Sequence, residues 1–224
     1  MSIDPEMKDG RRLRRDRNRT AVVQALLQLY SEGNLDPGSV EIAERAGLSP
    51  RSLFRYFDDV DDLCHEAVLA RQHTLMPLLA IDAVPGDSLA TRVDALLHQR
   101  ATIFRTMGNV GRVARLRAPF LPVIAAELAI ARQFLRGQIG KLFVAELSAL
   151  SEQAAAATVM AIDTLTTFDA NELFVGDQYL APQQIQRNLR VVLLSLLGGQ
   201  PIADVDGADE GRPTSAASAA PVRT

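Results

Sequence analysis

Apolar residues recur at helical spacing along nearly the whole chain. Between Asn18 and Glu32, the residues Val22, Val23, Leu26, Leu27, Leu29 and Tyr30 mark a first helix, which Gly33-Asn34 closes. Pro37-Gly38 is a loop, with Ser39 the expected N-cap of a second helix in which Ile42, Ala43 and Ala46 share a face. Gly47 ends that helix and reverses the chain, and Leu48 pins the turn. Ser49-Pro50 then pairs an N-cap with a proline at the first helical position, and in the third helix Leu53 and Phe57 turn inward. Asp58 or Asp59 caps a fourth helix with the stripe Leu63, Ala67, Ala70 and Leu75. Pro77 and the AIDAVPGDS segment end it, placing a boundary near residues 80–88.

The helical pattern continues beyond the boundary. Leu89, Val93, Leu96, Leu97, Ile103, Phe104 and Met107 mark a helix ended by Gly108, and a short one over 110–118 carries Arg112, Arg115 and Arg117. After Pro119 and Pro122 come Ile124, Leu128, Ala131, Leu135, Leu142 and Phe143, with Gly137 and Gly140 as points where the helix could bend. An alanine-rich helix is expected from Ser151 to Phe168, and a last one from Pro182 to Leu197, ended by Gly198-Gly199. The fold class is all-α. The expected divisions are a flexible basic arm over 1–17, a helix-turn-helix unit over 18–80, a second helical domain over 87–198 and a disordered tail over 199–224 rich in Ala, Ser, Pro and Gly.

Composition narrows the function classes. The single Cys, Cys64, excludes an internal disulfide framework and fits a reducing cytoplasm. Neither a membrane span nor a signal peptide is expected. His65-Glu66 begins like a zinc-protease helix, but Leu69 stands where the second histidine would be, so neither metal nor catalytic residues are expected, and no cofactor. The net charge of −3 is unevenly spread: residues 1–57 hold ten Lys/Arg against eight Asp/Glu, and the remainder fourteen against nineteen. The basic end is the one with the helix-turn-helix pattern.

The third helix leaves Arg51, Ser52, Phe54, Arg55 and Tyr56 facing out, an odd set for a merely solvated surface. It suits a helix lying in a DNA major groove. Arg51 and Arg55 are placed to read base edges. Ser49, Pro50, Ser52, Phe54 and Tyr56 would position the helix on phosphates and sugars, and Ser39 would offer a helix start to a phosphate. Arg15 and Arg19 are candidate phosphate contacts from the arm and the first helix.

On these residues the segment 18–70 resembles the DNA-binding domain of the TetR/AcrR family of bacterial transcriptional repressors. The likeness rests on the long first helix, IAERAGLS, the proline-started SLFRYF, and the acid-rich start of the fourth helix with Leu63. Two positions depart from the family's habit. Phe54 replaces a usual Tyr, and Val60, flanked by Asp58, Asp59, Asp61 and Asp62, stands where Lys is frequent. The resemblance implies a TetR-like dimer through the last two helices. Independently, the final helix is apolar on two faces and its neighbour is lined with small residues. Ala157, Ala161, Leu189, Leu193, Leu196 and Leu197 are the interface candidates. The second domain is expected to enclose a small-molecule pocket, with Phe104, Met107, Phe134, Asp163 and Phe168 facing in and His98 or Arg115 as polar anchors. The expected function is a cytoplasmic homodimeric repressor, released from a palindromic double-stranded operator by a small-molecule effector. The competing expectation is a helical sensor or interaction module with weakened DNA binding, suggested by the acids at 58–62.

Overall fold

The computed structural model describes residues 5–198. The tail over 199–224 and the first four residues of the arm lie outside them. All elements described are helices: α1 Pro5–Ser31, α2 Ser39–Arg45, α3 Pro50–Leu53, α4 Val60–Leu75, a 3-10 turn Met76–Leu78, α5 Leu89–Arg117, α6 Pro122–Leu142, α7 Val144–Ser148, α8 Glu152–Leu165, α9 Phe168–Gly176 and α10 Pro182–Gly198. None is long and apolar enough to cross a membrane.

Local chemistry sets most boundaries. Side-chain oxygens of Ser49, Asp59, Ser88, Ser151 and Thr167 cap α3, α4, α5, α8 and α9 by accepting a backbone N–H of the first turn. At α2 the cap is Gly38, without a side-chain bond. Ser39 is the first helical residue and not the N-cap that the sequence suggests.

Two further expectations change. The first helix begins at Pro5, well before Asn18, so the arginine-rich stretch forms its first turns, and residues 12–17 there are all exposed. A helix that projects past its neighbours carries no apolar stripe, and periodicity alone does not register it. The alanine-rich helix stops at Leu165 and does not run to Phe168. The Thr166 hydroxyl donates to the Ile162 carbonyl at 2.7 Å, and Thr167 then caps α9. By contrast α6 passes through Gly137 and Gly140 without a break. The break at Gly108 is present as a bend inside α5, at φ 49° and ψ −135°, a conformation suited to glycine.

The core crosses the expected domain boundary. Val22, Leu26, Leu29 and Tyr30 of α1 pack with Ile42, Ala43, Leu53, Phe57, Leu63 and Ala67, and the same cluster takes in Val110, Val113 and Ala114 from beyond the bend, with Ile124 of α6. The part of α5 before the bend packs elsewhere: Val93, Leu96 and Leu97 join Ile139, Leu142, Phe143, Ile162, Leu193 and Leu197. A smaller group, Leu75, Ile103, Phe104 and Phe168, lies between. Gly108 therefore separates two halves of one helix that belong to different cores.

Candidate nucleic-acid interface and the pocket behind it

The α2–α3 turn is built around Gly47, at φ 68°. Its N–H donates to Glu44 O at 3.0 Å and that of Leu48 to Ala43 O at 2.8 Å, so the last carbonyls of α2 are satisfied as the chain reverses. The Ser49 oxygen accepts the Ser52 N–H at 3.3 Å and shares a 2.9 Å bond with the Ser52 hydroxyl. Turn bonds from Arg55, Tyr56 and Phe57 back to Ser52 and Leu53 continue the spiral past α3. Leu53 and Phe57 are buried, while Arg51, Arg55 and Phe54 are exposed, Phe54 to 48 %. The expected facing of this segment is the observed one, with Ser52 and Tyr56 half-buried.

The start of α1 leans on α3. Asn18 Nδ2 donates to the Tyr56 hydroxyl oxygen at 2.8 Å, and Arg14, Arg15, Arg55 and Tyr56 together line one surface hollow. Arg15 is thus beside the outward face of α3, as expected. Arg14, another arginine of the basic arm, is there too, four residues before Asn18 and so on the same side of α1. Arg19 is a different case. It donates to Tyr56 O at 3.1 Å, pairs with Glu66 at 2.8 Å and lies 4.7 Å from the centroid of the Phe57 ring. These contacts use Arg19 as a bracket between α1, the turn after α3, and α4.

The acids at the start of α4 are also occupied. Asp59 Oδ1 accepts the Asp62 N–H at 2.7 Å, and Asp62 Oδ2 accepts the Asp58 N–H at 3.2 Å. Arg117, at the end of α5, pairs with Asp61 at 3.2 Å and with Asp36 ahead of α2.

Behind this unit lies a cavity of about 260 Å³ between α5, α8, α9 and α10. Leu97, Phe104, Phe174, Val175, Ile185 and Leu189 supply apolar lining, and Arg100, Arg105, Arg112, Asn171 and Glu172 polar lining, with Gly108 in the wall. Of the pocket residues expected, only Phe104 lines it. Phe168 packs edge-on against Phe104, centroids 5.8 Å apart, and Met107 packs against the same cluster. Arg115 lies 4.1 Å from the Phe168 ring centroid and pairs with Asp169 at 2.7 Å, so it clamps α9 and does not line the cavity. Phe134 is 50 % exposed on α6, and His98 is exposed in a separate shallow groove with Pro77 and Asp94. Asp163 is half-buried outside the lining, where its charge partly opposes the burial that pulls the Arg100 guanidinium down to about 10.

The interface candidates divide in the same way. Leu193 is fully buried and Leu197 nearly so in the chain's own core, and Leu189 lines the cavity. These three face inward, because one of the two apolar faces of α10 is spent on α5. Ala157 and Leu196 remain exposed and Ala161 half-buried, and Met160, which the sequence reading did not single out, is 58 % exposed on α8.

Cavity and helix-turn-helix unit are joined through the second half of α5. Arg112 pairs with Glu172 at the cavity and also donates to the side-chain oxygen of Asn109, and Asn109 Nδ2 donates to Tyr30 O at 2.6 Å, at the end of α1.

No protein-family model matches the chain, and no curated protein matches it in sequence. Solved structures do match. A TetR-family transcriptional regulator from Streptomyces coelicolor superposes with a TM-score of 0.62 at 17% identity, over 81% of this chain and 83% of its own. A protein assigned as a transcriptional regulator in Pseudomonas aeruginosa PAO1 superposes with a TM-score of 0.59 at 19% identity, over 88% of this chain and 93% of its own. All-α, with a helix-turn-helix unit built on a long α1 and a helical second half, the chain has the fold of a TetR-family transcriptional regulator.

Proposed function

We propose that this protein is a sequence-specific DNA-binding transcriptional regulator. It acts in the cytoplasm as a homodimeric repressor that grips a palindromic operator with its two α2–α3 pairs and is released when a small molecule fills the cavity beside Gly108. One observation carries the reading: Arg51 and Arg55 stand free on a helix whose other face is fully buried, and Arg14 and Arg15 of α1 flank the same surface. Two guanidinium groups to read bases and two to hold phosphates make a compact major-groove reader. The fold shared with transcriptional regulators agrees with it.

Release is supported by the connections across the bend. A ligand that spreads the cavity wall at Gly108 would pull on Asn109 and Arg117, which hold Tyr30, Asp36 and Asp61. Two recognition helices must sit close to one DNA turn apart, roughly 34–36 Å, so small shifts weaken both half-sites together. The competing reading, a sensor with weakened DNA binding, drew on the acids at 58–62. Capping and ion pairing give Asp59, Asp61 and Asp62 structural duties instead.

The test is a fluorescence-anisotropy titration with palindromes from the DNA upstream of its gene, at several salt concentrations. The expected result is a preference of about a thousandfold or more over scrambled duplex, with an affinity that falls as salt rises. Equal affinity for both duplexes would remove sequence-specific regulation, and no binding to either would leave the sensor.

A further inference from the structure

The cavity carries a charge imbalance that names the class of molecule it takes. Arg100 projects from α5 into the wall with only 3% of its surface exposed. Its hydrogen-bond acceptors are all neutral: Leu135 O at 2.8 Å, Gln138 Oε1 at 2.9 Å, and the side-chain oxygen of Gln99. Among the described residues no carboxylate comes within ion-pair distance of it, Asp163 acting only through its field. Arg105 stands exposed at the rim with a long 3.4 Å contact to Thr102 Oγ1. Arg112 is already neutralised by Glu172. The lining thus holds two guanidinium groups beyond those its one carboxylate balances, against an apolar wall of Leu97, Phe104, Phe174 and Ile185.

A buried cation without a counter-ion is a standing electrostatic cost, and an anion delivered to it recovers that cost along with charge-assisted hydrogen bonds. A cationic ligand would add like charge in a weakly screened site, and a neutral one would leave the imbalance untouched. Accepting the proposed role of the cavity as the effector site, we infer that the effector is an amphipathic organic anion. Its carboxylate or sulfonate head meets Arg100 and Arg105, and its apolar alkyl or aryl body lies against Phe104, Phe174 and Ile185.

Three probes with one body and three heads test this on the full chain: octanoate, octanol and octylammonium, titrated calorimetrically at neutral pH. Octanoate should bind at least about tenfold tighter than either of the others, the scale of one charge-assisted hydrogen bond. Arg105→Gln and Arg100→Gln should each shrink that preference while octanol binding stays the same. If Arg100→Gln melts too low to measure, Arg105→Gln and the head-group series on the unaltered protein still decide. Equal binding of all three heads, or tightest binding of octylammonium, would overturn the anion while leaving the cavity as a ligand site. Absence of binding by any of them would remove the cavity reading and the inference with it. A preference for octanoate that survives both substitutions would show that the head sits elsewhere. A parallel titration of protein–operator complex separates binding from release: octanoate that binds without displacing DNA would refute the effector role and keep the anion site.

Discussion

The side-chain amide of Asn18 donates to the hydroxyl oxygen of Tyr56 at 2.8 Å, fixing the phenol just past α3. Because the phenol oxygen is the acceptor, its own proton stays available for a phosphate oxygen. Tyr56→Phe removes that donor and should weaken operator and scrambled duplex alike by about 1 kcal/mol. Anisotropy titrations on both duplexes read this. A loss confined to the operator would mean that Tyr56 reads bases.

Arg51 and Arg55 should behave differently from Arg14 and Arg15. Alanine at either recognition-helix arginine should cost about 1–3 kcal/mol on the operator and relax preference at one base pair. Alanine at Arg14 or Arg15 should weaken all sequences together and lower the salt slope by about one phosphate contact each. Binding measured against a panel of single-base operator variants separates the patterns. If the two pairs respond alike, the division into reading and holding is wrong.

Two glycines of α5, Gly108 at the bend and Gly111 one turn beyond it, should not tolerate a side chain. A Cβ on Gly111 would stand 2.8 Å from two atoms of the Phe168 ring, which is itself packed against Phe104 and Arg115. Gly111→Ala should therefore cost about 1–3 kcal/mol by overpacking. Gly108→Ala meets open space but keeps the left-handed φ of 49°, a strain of about 1–3 kcal/mol. Thermal melts test both. An unchanged midpoint for Gly111→Ala would mean the ring moves aside freely.

The dimer prediction turns on burial in the single chain. Met160→Glu on the exposed face of α8 should give folded monomers by sedimentation, since it places like charges in the proposed interface. Leu193→Glu should unfold the chain, because that side chain has no exposed surface in its own core. A Met160→Glu variant that remains dimeric would move the interface off this face.

The nearly buried pair Arg92–Glu146, at 2.6 Å, ties α5 to α7, and Arg92 also donates to Leu142 O at 2.9 Å. The hydrogen bond from Arg92 holds the Glu146 carboxyl below its ordinary range. A depressed carboxylate stabilises the fold above its unfolded value, about 4.3, and loses that contribution as pH falls through the lower folded value. Glu146→Gln should be less stable by roughly 2 kcal/mol at pH 7. Its difference from the unaltered protein should narrow in denaturation curves taken below about pH 4. A constant difference across the whole pH range would place the stabilisation outside this ion pair.

Local chemistry was the legible part of this chain. Ser49-Pro50, Gly47, Gly108 and Pro182 each dictate backbone conformation by themselves, and the structure places α3, its preceding turn, the bend in α5 and the start of α10 where those residues require. Facing was legible where one apolar stripe had one neighbour, as for Leu53 and Phe57. It failed where two stripes competed. Leu193 and Leu196 both look available on α10, and only the docking of α5 decides that Leu193 is the buried one. The cavity was the least legible. Arg100 reads as an ordinary helix-surface cation until α6 arrives with Leu135 O and Gln138 to receive it. Thr166 and Thr167 end α8 with hydroxyl bonds, to the Ile162 and Thr164 carbonyls, that a composition of Ala, Thr and Leu does not advertise.

Arg117 ties two acidic residues beside the α2–α3 pair to the far side of the bend. Asp36 stands three residues ahead of α2 and Asp61 in the first turn of α4, and one guanidinium from the far side of the bend covers both. While it stays in place, its single positive charge offsets half of the two negative charges beside the helix-turn-helix unit. Withdrawing it leaves both carboxylates without this partner, and on the proposed function they would then face DNA. On the proposed function, any motion of α5 that breaks this contact would repel DNA by charge as well as by misplacing the helices, without altering a residue on the outward face of α3.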